Sequence, residues 1–127
     1  MDAHRTERVA EAIREALAEL IQFEARDPRL SGVEVTVVHL DSGLRDAQVS
    51  VTVAGEEAAQ EAALAALGHA RHYFRREIST RLRTRRIPEL HFELDREAES
   101  TARIELLLKR AARWRTKISN PAGGEPA

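Results

Sequence analysis

The spacing of apolar positions along the chain alternates between a helical period and a strand period. Over residues 7 to 23 or 24, apolar residues recur every three or four positions, which predicts an amphipathic helix. Two runs with alternating valines follow at residues 33–37 and 47–53, and this alternation predicts strands with one buried face. A short polar turn at residues 41–43 separates the two runs, so we expect an antiparallel hairpin.

Helical spacing returns in the second half of the chain. Residues 58–67 are almost entirely alanine and leucine, which predicts a tightly packed helix, and Gly68 then weakens that helix. A helix rich in arginine follows. It should end near residue 85 or 86, because Pro88 lacks an amide hydrogen and disfavours helical angles at the residue before it.

The last part of the pattern completes a mixed architecture. Alternation over residues 90–95 predicts a third strand, and helical spacing beyond Ser100 or Thr101 predicts a final helix of about three turns that packs on the core. Three strands against two or three helices predict an α+β fold. We expect one domain over residues 5–115, followed by a disordered tail at 116–127 that is rich in proline and glycine.

The predicted core depends on aliphatic side chains. Hydrophobic residues make up 43% of the 127-residue chain, but aromatic residues only 4%, so valine, leucine, isoleucine and alanine must fill most of the interior. We expect the core to contain Val35, Val37, Val49, Val51, Ile78, Leu107 and either Leu90 or Phe92.

Composition also limits the class of protein. The absence of cysteine excludes disulfides and thiolate metal clusters, and suits a reducing compartment. No segment approaches the length and hydrophobicity of a membrane span, and the N-terminus MDAHRTER lacks the apolar core of a signal peptide. We therefore expect a cytoplasmic protein without a membrane partner.

Charge is distributed unevenly along the chain. The formal net charge is only −1, yet residues 71–86 contain seven arginines and a single acidic residue, Glu77. On a helix, several of these arginines fall opposite the apolar face and point outward. This pattern is compatible with nucleic-acid binding but does not by itself favour it over an ordinary charged surface. A solvated helix face, with Glu77 and Arg81 paired one turn apart, is the alternative.

Patterns typical of catalysis or metal binding are absent from the sequence. His69 and His72 have a helical spacing that suits a metal, but no third ligand is apparent and the neighbouring arginines would repel a cation. Nucleotide-binding glycine motifs are missing, and no serine has the sequence context of a nucleophile. We expect a protein that is not an enzyme and has no cofactor, metal or small-molecule substrate. A small nuclease is a weaker alternative.

A specific combination of residues surrounds the arginine-rich helix. It comprises Ala70, the sequence Tyr73-Phe74-Arg75-Arg76-Glu77, the arginines Arg83, Arg85 and Arg86, and Ile87-Pro88-Glu89-Leu90-His91-Phe92 leading to Asp95. Asp27-Pro28-Arg29 after the first helix adds to it. In these features the chain resembles the ribosome-binding factor A family of bacterial ribosome-assembly proteins. The resemblance extends over most of the predicted fold.

The resemblance implies both a fold and a function. The fold would be a type II KH-like domain, in the order α-β-β-α-kinked α-β, with an additional C-terminal helix. The function would be ribosome biogenesis: RNA binding to the small (30S) subunit late in assembly, assistance in processing the 5′ end of 16S rRNA, release before translation, and support of growth in the cold. We expect a monomer. A protein-interaction adaptor whose arginine helix docks on an acidic partner is the main alternative.

The resemblance also indicates the site. KH domains clamp the nucleic-acid backbone with a glycine-rich loop, which this family replaces by Ala-x-Gly at a kink between two helices. Here Ala70-Arg71-His72 occupies that place. Either the kink uses ordinary backbone angles, or the flexible point has moved to Gly68. The kink residues are then Gly68, Ala70 and His72. Arg5 and Arg8 lie where the family has basic residues, and we interpret them first as ordinary surface charges. The predicted RNA-binding residues are Arg71, His72, Arg75, Arg76, Arg83, Arg85 and Arg86.

Overall fold

The computed structural model describes residues 3–119, and the side chains of residues 4–115. Its first helix continues directly into a π-helical turn, and a short 3-10 turn precedes the first strand. In chain order the elements are α1 (Ala3–Glu19), the π-helical turn (Leu20–Glu24), the 3-10 turn (Pro28–Leu30), β1 (Val33–Leu40), β2 (Asp46–Val53), α2 (Glu57–His69), α3 (Arg71–Leu82), β3 (Glu89–Leu94) and α4 (Arg96–Ser119).

The three strands form one sheet in the order β1-β2-β3. β1 and β2 pair antiparallel, with Val35 opposite Val51, which confirms the predicted hairpin. β2 and β3 pair parallel, with Val49 opposite Phe92. Because parallel strands need a long crossover, α2 and α3 carry the chain from β2 to β3. The α+β class and the order of a type II KH-like domain are therefore confirmed, and α4 is the additional C-terminal helix.

In the part of the chain up to Asp95, the core lies between the sheet and helices α1, α2 and α3. Most of the predicted core residues belong to it: Val35, Val49, Val51, Ile78 and Leu90 are buried. Phe92 is half buried, and its ring meets that of Phe74 edge-on with centroids 6.1 Å apart. The largest side chains that are almost completely buried are those of Phe74, Ile13, Leu17, Leu20, Leu67, Ile78, Leu90, Val49 and Val51.

A β-bulge in β1 changes which valines face the core. Val35 lies opposite Val51, but Val37 lies opposite the next residue of β2, Ser50, so β1 carries one extra residue between them. Beyond the bulge the faces exchange. Val38 is buried and Val37 only half buried, so the prediction that Val37 belongs to the core is wrong.

The chain from Arg96 onwards forms a compact unit of its own, distinct from the residues up to Asp95. The helix α4 is 24 residues long and begins earlier than predicted. Its first turn contains Glu97 and Glu99, which favour the partial positive charge of a helix N-terminus. Leu107 is 54% exposed, so its predicted place in the core is wrong.

The predicted limits of the domain, residues 5–115, stay a prediction. Of the tail predicted at 116–127, residues 116–119 belong to α4 and residues 120–127 lie outside the described part of the chain. None of the described helices combines the length and the apolar composition that crossing a membrane requires.

Candidate nucleic-acid interface

A single residue, Ala70, forms the corner between α2 and α3. Its angles, φ −88° and ψ 3°, lie in the bridge region and interrupt the helix. Hydrogen bonding continues across the corner, because the Ala70 amide donates to Ala66 O at 3.0 Å and the Phe74 amide to Ala70 O at 2.9 Å. His72 already belongs to α3 without a positive φ, and Gly68 belongs to α2. The interpretation that the kink uses ordinary angles is therefore confirmed.

The helix α3 ends at Leu82 instead of continuing to residue 85 or 86. Arg83 adopts the left-handed conformation, with φ 54° and ψ 45°, and its amide donates to the carbonyl of Ser79. The Thr84 amide donates to the same carbonyl at 3.2 Å, and the Ser79 hydroxyl donates to the carbonyl of Thr84. These bonds close the helix before Pro88 can affect it. The last three arginines of the cluster therefore lie off the helix, and the predicted helical face stops short of them.

Part of the arginine cluster surrounds an open depression of about 660 Å³ between α3 and the segment before β3. Its lining consists of His72, Arg75, Arg76, Ser79, Thr80, Arg85 and Ile87. We call this surface the arginine depression. Among the described residues that line it, none is acidic. The structure therefore brings together four of the predicted RNA-binding residues, His72, Arg75, Arg76 and Arg85.

Arg75 differs from the other arginines of the depression because it is bound to the protein itself. Its Nη2 donates to the carbonyl oxygen of Ile87 at 2.9 Å, and its Nη1 lies 3.3 Å from a carboxylate oxygen of Glu89. These contacts join α3 to the start of β3. Arg75 thus holds the wall of the depression in place and leaves part of its guanidinium at the surface, where the side chain is 32% exposed.

The remaining predicted residues differ in exposure. His72, Arg76, Arg83, Arg85 and Arg86 are exposed, whereas Arg71 is half buried. The Nε atoms of Arg71 and Arg75 are shielded from solvent and have no hydrogen-bond partner within the described structure. Arg71, Arg83 and Arg86 do not line the depression, so the structure does not unite the whole predicted set.

Arg81, on the same helix, joins α3 to the end of the first helix. Its guanidinium pairs with Glu19 at 2.6 Å and also with Glu24. The hydrogen bond to Glu19 is the main cause that raises the pKa of Arg81 above its usual value. The expected ion pair between Glu77 and Arg81 is replaced by these two contacts with carboxylates from another part of the fold. Arg81 therefore contributes to packing between the helices.

Arg86 lies at a second cavity, of about 470 Å³, together with Arg5 and Arg8 from α1. Sequence alone favoured ordinary surface charges at Arg5 and Arg8. Their spacing of three residues on one helix face was the available signal. Their proximity to Arg86 depends on how α1 packs against the end of α3, which local spacing does not reveal.

A metal site finds no support in the geometry. Across residues 4–115, no three histidine, aspartate or glutamate side chains lie close enough together to hold an ion. What the depression presents is the cationic side chains of Arg75, Arg76 and Arg85 and the hydroxyl groups of Ser79 and Thr80. Such a surface is suited to polyanions, since guanidinium groups bind phosphate oxygens in a fixed geometry.

Comparison with known proteins identifies close relatives. A family model described as ribosome-binding factor A matches residues 5–108. The ribosome-binding factor A of Solibacter usitatus is 45% identical over 122 residues, which cover 96% of this chain and 99% of the relative. That of Thermomicrobium roseum is 42% identical over 126 residues, which cover 99% of this chain and 98% of the relative.

Solved structures agree with the sequence comparison. The crystal structure of ribosome-binding factor A from Thermus thermophilus superimposes with a TM-score of 0.65 at 34% identity, and covers 72% of this chain and 96% of its own. A homology model of the Thermus thermophilus factor, fitted into a cryo-EM map of its complex with 30S, has a TM-score of 0.59 at 34% identity. It covers 69% of this chain and 92% of its own.

Proposed function

The chain belongs to the ribosome-binding factor A family, and we propose that it binds the small (30S) ribosomal subunit and assists late steps of its maturation. The observation that carries the proposal is the arginine depression, a surface with three arginines and no acidic residue among its described lining. A relative 34% identical to this chain was fitted into a map of a 30S complex, which supports the same partner here.

The partner at the depression is rRNA, and its phosphates make the contacts. Arg76 and Arg85 are exposed and reach the phosphates directly, while Arg75 is held by Ile87 and Glu89 and keeps the surface in shape. Such contacts position the protein on the RNA without reading its sequence. Each phosphate neutralised releases a counterion, so binding should weaken steeply as salt rises.

The other predicted residues lie close in the chain to those that line the depression. His72 lines it and Arg71 precedes His72 beside the corner at Ala70, while Arg83 and Arg86 lie on the segment that follows α3. We assign them to the RNA-binding set together with Arg75, Arg76 and Arg85. The corner at Ala70, flanked by Gly68 in α2 and His72 in α3, sets the angle between the two helices and so the path that the RNA follows.

The mechanism is binding and not catalysis. A cytoplasmic monomer holds one conformation of the immature subunit, which shifts its population towards that conformation. Held in this way, the 16S rRNA presents its 5′ end for processing by other enzymes, and the protein leaves before translation begins. The requirement should be greatest in the cold, where misfolded RNA rearranges slowly.

Co-sedimentation tests the proposed partner. The protein should sediment with isolated small subunits and not with large subunits or whole ribosomes, and binding should decrease as salt is raised. Depletion of the protein from cells should cause 16S rRNA with an unprocessed 5′ end to accumulate, most strongly at low temperature. Equal binding to large subunits would contradict the proposal.

The alternative is an adaptor whose arginine helix docks on an acidic protein. The two hypotheses differ in which competitor should displace the protein from small subunits. Purified 16S rRNA should displace the protein from small subunits at concentrations where an acidic protein of similar charge does not. The reverse order of competition would favour the adaptor.

A further inference from the structure

The cavity that contains Arg86 has an apolar interior and a cationic rim. We call it the rim cavity. Its volume is about 470 Å³. Apolar side chains from α1, the turn before β2, the end of α3 and the segment before β3 line it: Val9, Ala12, Ile13, Leu44, Leu82, Ile87 and Pro88. Arg5, Arg8, Arg86 and Thr84 supply its polar groups, and its described lining contains no carboxylate.

One of two residues with unusual backbone angles lines this cavity, and the other is the chain neighbour of two lining residues. Leu44, which lines it, has φ 56°, and Arg83, which directly precedes Thr84, has φ 54°. They are the non-glycine residues with positive φ in the described chain. Such conformations disfavour residues with a Cβ and concentrate at functional sites. The turn holds Leu44 in place, because its amide donates to the carbonyl of Asp41 at 3.0 Å.

The rim cavity adjoins the arginine depression. Ile87 lines both, and Arg85 and Arg86, which precede it in the chain, line the depression and the cavity respectively. Neither described lining contains an acidic residue, so both surfaces suit the same strand of RNA.

We propose that the rim cavity receives one unstacked nucleotide of single-stranded RNA. The base enters the apolar interior, and the flanking phosphates contact Arg8 and Arg86 at the rim. This inference rests on the proposed function, because the nucleotide belongs to the rRNA strand bound at the depression.

The chemistry of the lining favours a nucleotide. Single-stranded RNA is recognised by extruding bases, which pack on apolar side chains or on the planes of arginine guanidinium groups. The volume lies within the range of sites for small ligands, which are mostly apolar with a few polar groups. The phosphates supply the negative charge that the rim complements. An acidic protein segment with an apolar anchor is the other ligand of this chemistry, and the test separates it.

The experiment fills the cavity and follows a fluorescent base. Ala12 is half buried in α1 and lines the cavity, so Ala12→Phe should occupy the space without removing any existing contact. Ala65→Phe, at an exposed position of α2, is the control. The probes are single-stranded RNAs of mixed sequence, each with 2-aminopurine at a different position.

With the unaltered protein, emission should change at one position of the RNA and not at the others. Ala12→Phe should abolish that change in emission. It should also weaken RNA binding about tenfold, which is the loss of affinity expected when one stacked base is removed. Ala65→Phe should behave like the unaltered protein. If Ala12→Phe fails to fold, Arg8→Gln combined with Arg86→Gln provides a second test. This double variant removes only charge from the rim and should also reduce the change in emission.

The outcomes distinguish this inference from the proposed function. If the unaltered protein co-sediments with small subunits but no position of the RNA responds, the nucleotide site is overturned and the proposed function stands. If Ala12→Phe binds RNA normally but no longer binds the subunit, the cavity docks a protein segment, which also overturns the inference. Failure of the unaltered protein to bind small subunits overturns the proposed function itself.

Discussion

The corner between α2 and α3 is formed by Ala70, and it needs no glycine. The bridge-region angles of Ala70 are open to any L-residue, so the following helix begins without a left-handed residue. The residues Ala70 and His72 were identified from sequence, and ordinary angles at the kink were one of two possibilities left open. The choice could not be made from the sequence, because it depends on how α2 and α3 pack on the sheet, and local spacing does not reveal that packing.

Gly68 therefore lowers stability without a conformational need. It is exposed within α2, and a Cβ added there would meet nothing within 4 Å. Gly68→Ala should raise the free energy of unfolding by roughly 0.5–1 kcal/mol, because alanine favours helix more than glycine does. Urea denaturation measures the change.

Gly55→Ala is the matched comparison for this substitution. Gly55 has φ 109°, and an added Cβ would lie 2.9 Å from the Cβ of Ala59. This variant should be destabilised. Destabilisation by Gly68→Ala would show that the corner needs a glycine after all.

At the scale of elements, the sequence indicated every strand and helix but not where each ends. The helix α3 ends early because Ser79 and Thr84 bond to each other, a closure that competes with the more obvious Pro88. In β1 the bulge displaces Val37. There the hydroxyl of Thr36 lies 3.0 Å from Ser50 O and 2.6 Å from a carboxylate oxygen of Asp95. These causes are specific hydrogen bonds, local at Ser79 and long-range at Thr36, which a period of apolar residues does not encode.

Arg75 joins two elements, so its replacement should reduce stability. Arg75→Ala removes the hydrogen bond to Ile87 O and the ion pair with Glu89. We expect the free energy of unfolding to fall by roughly 1–2 kcal/mol, since the bond involves a charged donor but is partly exposed. Arg76→Ala, one residue away and exposed, should change it by less than about 0.5 kcal/mol. Equal effects in thermal denaturation would contradict the structural role of Arg75.

The turn between β1 and β2 should respond to acid. The amides of Asp46 and Arg45 donate to Asp41 Oδ1 at 2.9 Å and 2.7 Å, and these bonds lower the pKa of Asp41 below its usual value of 3.8. A carboxylate with a lowered pKa stabilises the fold above the unfolded-state pKa, and this contribution is lost as pH falls below about 4.

NMR titration should give a midpoint for Asp41 lower than for a free aspartate. Asp41→Asn should reduce the dependence of stability on pH in the same range. A normal midpoint would mean that these amide bonds do not hold the carboxylate in solution.

At the scale of the whole molecule, the tertiary fold places the arginines of one sequence cluster in different environments. Arg81 and Arg75 bind carboxylates of other elements, Arg76 and Arg85 remain exposed in the depression, and Arg86 joins the cavity beside α1. The class of fold and the location of the cluster could be predicted, because they follow from apolar periods and local charge. The role of each arginine could not, since it depends on which element packs beside it.

The central claim is that the arginine depression binds the rRNA of the small subunit. The most direct test is co-sedimentation of Arg76→Glu combined with Arg85→Glu, which reverses two exposed charges and leaves the contacts of Arg75 intact. The control is Arg26→Glu combined with Arg103→Glu, both exposed and outside the depression.

Measured over a series of salt concentrations, the depression variant should keep the thermal midpoint of the unaltered protein but no longer sediment with small subunits at moderate salt. For any residual binding, the slope of the logarithm of the binding constant against the logarithm of salt concentration should be less steep. The slope should decrease in magnitude by roughly 0.7–0.9 for each phosphate that the variant no longer neutralises. The control should bind almost normally. A folded depression variant that binds small subunits as tightly as the unaltered protein, with the same salt dependence, would contradict the claim.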